Sequence, residues 1–112
     1  MKASLGALLK SLPGPTSEEW PNGEPFAEAF RHGSMLVEIF APRQQDTQTP
    51  HDQDELYIIA SGTAVLNIEG IEYEASSGGV LFVAAHKRHN FEKISDDFVT
   101  WVIFWGPRGG ER

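Results

Sequence analysis

The sequence predicts an all-β sandwich or barrel. Seven or eight short strand-like runs follow one another at regular spacing, Gly-containing turns separate them, and only one short segment has helical periodicity. Length agrees, since 112 residues fit one domain around a single apolar core. At 40% hydrophobic and 22% charged residues, the composition is that of a folded globular chain rather than a disordered one.

The helical pattern comes first. Leu5, Leu8, Leu9 and Leu12 recur at helical spacing and Pro13-Gly14 end the run, which predicts a short amphipathic helix packed onto the domain. Lys10 interrupts the apolar stretch and no small-x-small cleavage site follows it, so a signal peptide is not expected. No run approaches the roughly 18 apolar residues that carry a helix across a bilayer. Residues 13–25, PGPTSEEWPNGEP, read as an extended connector whose Trp20 anchors in an apolar groove.

The strands follow in order. Phe26 to Arg31 and Met35 to Phe40 flank a tight turn at His32-Gly33-Ser34, and the polar residues 41–54 with their two prolines form loop or irregular edge strand. Leu56 to Ala60, Thr63 to Ile68 and Ile71 to Glu74 are separated by Ser61-Gly62 and Glu69-Gly70. Val80 to Ala85, Asn90 to Ile94 and Phe98 to Trp105 complete the set. The organisation expected is therefore helix and connector over 1–25, barrel over 26–106, and a mobile tail over 107–112, which has no apolar residue to bury.

Three of these strands, LYIIA, VLFVAA and FVTWVIFW, are apolar on both faces. The outer face of a lone barrel meets water and needs no apolar residues. A short helix covers one sheet at most, so a second subunit is expected to cover the rest, as a symmetric homodimer. On the last strand Trp101, Ile103 and Trp105 share one face and Thr100, Val102 and Phe104 the other; one set lines the barrel and the other meets the covering subunit.

Charge and cysteine content narrow the function. Nine basic against 16 acidic side chains give a net charge of −7, which repels phosphate backbones and argues against nucleic-acid binding through a basic face. The absence of cysteine excludes disulfides, thiol redox chemistry and Cys-type zinc sites, and a cytoplasmic protein is the simplest reading. The acidic pair Glu72 and Glu74 reads as a solvated face.

Chemistry falls to the histidines. His32 lies in a turn and reads as structural or exposed. His51 precedes Asp52-Gln53-Asp54 and then Glu55; an extended chain would hold His51 and Glu55 roughly 13 Å apart. Pro50 disfavours a helix there; a bend or bulge at HDQD is the alternative, and with it imidazole and carboxylate could converge on one ion. His89, on a distant strand, offers the same chemistry. If Glu55 points inward, Tyr57 and Ile59 do as well, and Phe91 follows His89. The phenol of Tyr57 then either hydrogen-bonds a substrate, as a candidate catalytic group, or packs in the core with its hydroxyl satisfied.

The stretch from Thr49 to Gly62 resembles the first signature of the cupins, G-x5-H-x-H-x(3,4)-E-x6-G, with His51 on the second His, Glu55 on the Glu and Gly62 on the final Gly. The stretch from Gly78 to His89 is similar to the second, G-x5-P-x-G-x2-H-x3-N, and Gly78 and His89 match at its separation. The motifs depart at Arg43 for the opening Gly, Thr49 for the first His, Ala84 for Pro, His86 for Gly and Lys93 for Asn. The resemblance, over residues 33 to 106, implies a double-stranded β-helix, or jelly-roll barrel. It also implies a metal set reduced to His51, Glu55 and His89, an arrangement of two His and one carboxylate that suits Fe, Mn, Ni or Zn. Gln48 is a possible fourth, oxygen ligand, Asp46 a weaker one, and His86 could touch a ligand at the pocket mouth. The family implies oxygen-dependent cleavage, isomerisation or cyclisation of a small organic molecule. The alternative is a non-enzymatic module with a metal-free pocket that binds a small ligand or a partner.

Overall fold

The computed structural model describes all 112 residues and consists of one short helix and eight strands. Helix α1 (Leu5–Leu9) is followed by β1 (Phe26–His32), β2 (Met35–Phe40), β3 (Asp54–Ser61) and β4 (Thr63–Ile68). Then come β5 (Ile71–Ser76), β6 (Val80–Val83), β7 (His89–Glu92) and β8 (Val99–Trp105). Every expected strand is present; the ends differ by two residues at most.

The strands form a five-stranded sheet, in the order β1-β2-β8-β3-β6, and a three-stranded sheet, β5-β4-β7. All pairings are antiparallel. The two inner faces enclose the core, giving the jelly-roll barrel expected from the sequence. Alternation decides which side chains enter it. From β3, Tyr57 and Ile59 are buried; from β4, Ala64 and Leu66; from β7, Phe91; and from β8, Val102 and Phe104. This settles the last strand: Thr100, Val102 and Phe104 line the barrel, and Trp101, Ile103 and Trp105 face outward.

Helix α1 begins at Ser4, whose hydroxyl accepts a hydrogen bond from the Ala7 amide at 3.4 Å. Leu5, Leu8, Leu9 and Leu12 pack on a separate apolar cluster of Ile39, Ala41 and Val99, on the outer side of the large sheet. Trp20 anchors the connector as expected, its ring 6.3 Å from both Phe26 and Phe40 in edge-on contacts. Residues 107–112 behave differently from a free tail. The Gly109 amide donates to the Asp52 carbonyl at 2.8 Å, the Glu111 amide to the Asp54 carboxylate at 2.9 Å, and Arg108 pairs with Asp52 at 2.8 Å. The expectation of mobility weighed only the missing apolar side chains. Here the backbone supplies the tether.

Candidate metal centre

The sequence must bend to bring His51 near Glu55, and it does so at Asp52 and Gln53, where the chain turns before β3 begins at Asp54. Gln53 fixes the bend by donating to the carbonyls of Ser34 and Gly106, at 3.1 and 2.9 Å. His86 adopts a left-handed backbone (φ 68°), as its turn position requires, and pairs with Asp52 at the surface, away from the barrel interior. Its amide donates to the His51 carbonyl at 2.8 Å. His32 is exposed at the end of β1.

His51, Glu55 and His89 converge: one ligand atom from each lies within 4.8 Å of the other two. Cis ligands held at about 2.1 Å from an ion are roughly 3 Å apart, so small side-chain rotations suffice to close the set on a metal. His89 and Glu55 are buried almost completely, each with 1% of its side chain exposed. His89 Nδ1 lies 2.8 Å from the Lys87 carbonyl, which can only accept, so Nδ1 carries the hydrogen. The other nitrogen, Nε2, lies 2.7 Å from Glu55 Oε1. That approach is not aligned as a hydrogen bond, and His89 Nε2 and both Glu55 carboxylate oxygens have no hydrogen-bond partner. In a neutral ring, Nε2 is a lone pair facing a carboxylate inside the protein. Two buried acceptors at that distance require a positive centre between or beside them, a proton or a metal ion.

Electrostatics express the same tension. Burial works against a charged His89 ring, but the adjoining Glu55 carboxylate outweighs it and the pKa rises. His51, lacking so close a carboxylate, is lowered by burial. Its Nε2 lies 3.0 Å from Gln48 Oε1. The Gln48 amide nitrogen donates to Asp46 at 2.7 Å, which orients that side chain and makes His51 Nε2 the donor. Tyr57 also donates to Gln48 Oε1, at 3.4 Å, while its ring packs edge-on against Phe91 at 4.9 Å. Burial raises its pKa well above the usual value. Tyr57 is thus both core and site lining.

Gln48 is brought to the centre, as expected of a residue beside the missing first His. Asp46 is not: its carboxylate accepts from the Gln48 amide at 3.0 Å and the Phe91 amide at 2.9 Å, fastening the loop to β7. Backbone hydrogen bonds consume the oxygens that a metal would need.

One residue of the inner face escaped the sequence reading. Glu38 lies on β2 between Leu36 and Phe40, which both pack into the barrel, so it shares their inward face. It is opposite Val102, which is in turn opposite Tyr57. Burial, then the Glu55 charge, pushes its pKa up to about 7. The readable signal was a single acid on an otherwise apolar strand face. A cleft of about 790 Å³ lies elsewhere, between the N-terminal segment and residues 41–47; none of the converging side chains lines it.

Comparison with known proteins places this geometry. The profile of the cupin domain family matches residues 36–105, a span that includes Glu38, Gln48, His51, Glu55, Tyr57 and His89. The chain belongs to the cupin family. This cupin is 31% identical to the protein SCO3923 of Streptomyces coelicolor over 93 residues, 81% of this chain and 89% of that one. It is 38% identical to the HTH-type transcriptional activator RhaS of Yersinia pestis over 73 residues, 65% of this chain but only 27% of the activator. Among solved structures, the EutQ protein of Clostridium difficile superposes with a TM-score of 0.69 at 17% identity, covering 97% of this chain and 82% of that one. At that identity the likeness shows the fold alone. No helix is long and apolar enough to cross a membrane.

Proposed function

We propose that this cupin binds a divalent transition metal (Fe, Mn, Ni or Zn) through His51, Glu55 and His89 and acts on a small organic molecule. The observation that carries the reading is the buried, unpartnered approach of His89 Nε2 and Glu55. A cation resolves it, and the donor set of two imidazoles and one carboxylate suits a transition metal with positions left for substrate. Bound there, the metal supplies Lewis-acid polarisation of a substrate oxygen. The protein's own part is positioning. The Lys87 carbonyl fixes the His89 tautomer, Gln48 orients His51 and is a possible fourth ligand, and Tyr57 presents a hydroxyl beside them. Phe91, Val83 and Phe104 keep the wall apolar and exclude water.

A thermal-shift titration tests this reading. Added Zn(II) or Ni(II) is expected to raise the melting temperature of chelator-stripped wild type and to leave Glu55→Gln unmoved. Equal shifts in both proteins would overturn it. A second reading, a ligand-sensing module with a metal-free pocket, draws support from the match to part of a transcriptional activator. It expects stabilisation by an organic ligand and none by metal.

A second copy of the chain is the proposed partner. On the outer face of the large sheet, Val80 is 62% and Phe82 52% exposed, beside half-buried Leu56, Ile58 and Ile103. No charged side chain interrupts that patch, so two copies of a chain with net charge −7 meet there without setting like charges together.

A further inference from the structure

The inner face of the large sheet reads as a row across the barrel. Glu28 of β1 is opposite Glu38, Glu38 opposite Val102, Val102 opposite Tyr57, and Tyr57 opposite Leu81. The neighbouring row holds Leu36, Phe104, Glu55 and Val83. Glu38 therefore stands two residues along, in the adjacent row, and two strands across from Glu55, on the same inner surface as the candidate centre. Its flanking positions on that face, Leu36 and Phe40, are apolar, and it has no salt bridge or hydrogen bond from its side chain to any other residue. A long, half-buried acid with no partner of its own, on the surface that carries the candidate centre, is left available to a ligand.

The charges around it share one sign. Glu55, Glu28 and Glu24 all act on Glu38 as negative neighbours, and Arg31 is the only nearby cation. That guanidinium is committed to Glu28 through two hydrogen bonds, at 2.6 and 3.1 Å. A metal on Glu55 would supply the attraction that holds a substrate, while this side of the pocket remains carboxylic.

We propose that Glu38 is the specificity-determining residue of the barrel pocket, receiving a hydroxyl or amino group of the substrate and turning anionic molecules away. The inference rests on the metal-centre reading and deepens it. The substrate class it selects is a small molecule that offers a metal-binding oxygen and, a few ångströms away, a hydrogen-bond donor. A phosphorylated or dicarboxylic compound of the same size would set its charge against the ionised Glu38 carboxylate, which predominates above about pH 7. The residue is a binding group; the structure gives it no step of the reaction.

The test uses two probes of similar size that both chelate a metal through a five-membered ring: glycinamide, which offers donors, and oxalate, a dianion. Metal content is measured first in wild type and Glu38→Gln, and both should load equally because Glu38 is not a ligand. Calorimetric titration of the Ni(II)-loaded proteins should then show Glu38→Gln binding glycinamide at least threefold more weakly and oxalate at least threefold more tightly. Affinities within twofold of wild type for both probes would overturn the assignment with the metal reading intact. If wild type takes no metal, the metal reading fails by itself, and the same probes are followed at the Glu38 carboxyl ¹³C resonance of the metal-free protein. A saturable shift with glycinamide and none with oxalate would support the assignment there; no shift with either would end it.

Discussion

At His89 two requirements meet in one ring. The Lys87 carbonyl takes the hydrogen of Nδ1, and Nε2 faces Glu55 at 2.7 Å, both side chains buried. The residues of this centre were legible in the sequence because His51, Glu55 and His89 keep a family spacing even where the first His is replaced by Thr49. Glu38 stood out only as the single acid of its strand, since its role depends on which face of β2 turns inward, and MLVEIF offers apolar residues to both. Its burial makes a prediction for the metal-free protein. An acid raised in the folded state from the ordinary 4.5 to about 7 binds more protons folded than unfolded between those values, so stability falls as pH rises through that window. At 1.36 kcal/mol per pH unit the full cost above pH 7 is about 3 kcal/mol. Glu38→Gln should therefore be more stable than wild type at pH 8, by up to that amount, and equal to it near pH 4.5. Denaturant titrations at the two pH values check this.

At the scale of elements, turns and loops set the register that the strands only display. Gly62 joins β3 to β4 with φ at +74°, and a Cβ there would meet the Phe98 backbone nitrogen and Cα at 2.6 Å. Gly62→Ala combines a left-handed backbone with a backbone clash and should cost more than about 1 kcal/mol, read as a lower denaturation midpoint. The strands themselves were readable from alternation and Gly turns, because a period of two survives in a short run. The loop from 41 to 53 was not. Its shape comes from Asp46 accepting backbone amides of its own loop and of β7, and from Asn90 donating to the Asp46 carbonyl at 3.0 Å. Such long-range polar ties leave no periodicity to read, and the same holds for the tail fastened to Asp52 and Asp54.

For the whole molecule, the barrel uses one face of its large sheet for the core and leaves much of the other apolar. Helix α1 covers the corner around Ile39 and Val99, while Val80 and Phe82 stay open at the β6 edge. The sequence announced that imbalance in strands apolar on both faces, but nothing in a pattern of residues says how far a five-residue helix reaches. If a second copy covers the patch, Phe82→Lys should shift wild-type dimer to monomer in analytical ultracentrifugation with the fold retained. A wild type that sediments as monomer at every concentration would remove the dimer. The central claim, however, concerns the interior: a cation belongs between His51, Glu55 and His89. The direct measurement is metal content by mass spectrometry on protein purified without an affinity tag, beside His89→Ala. The account predicts near-stoichiometric Fe, Mn, Ni or Zn in wild type and its loss in the variant. No metal in either protein, even after reconstitution, would contradict it.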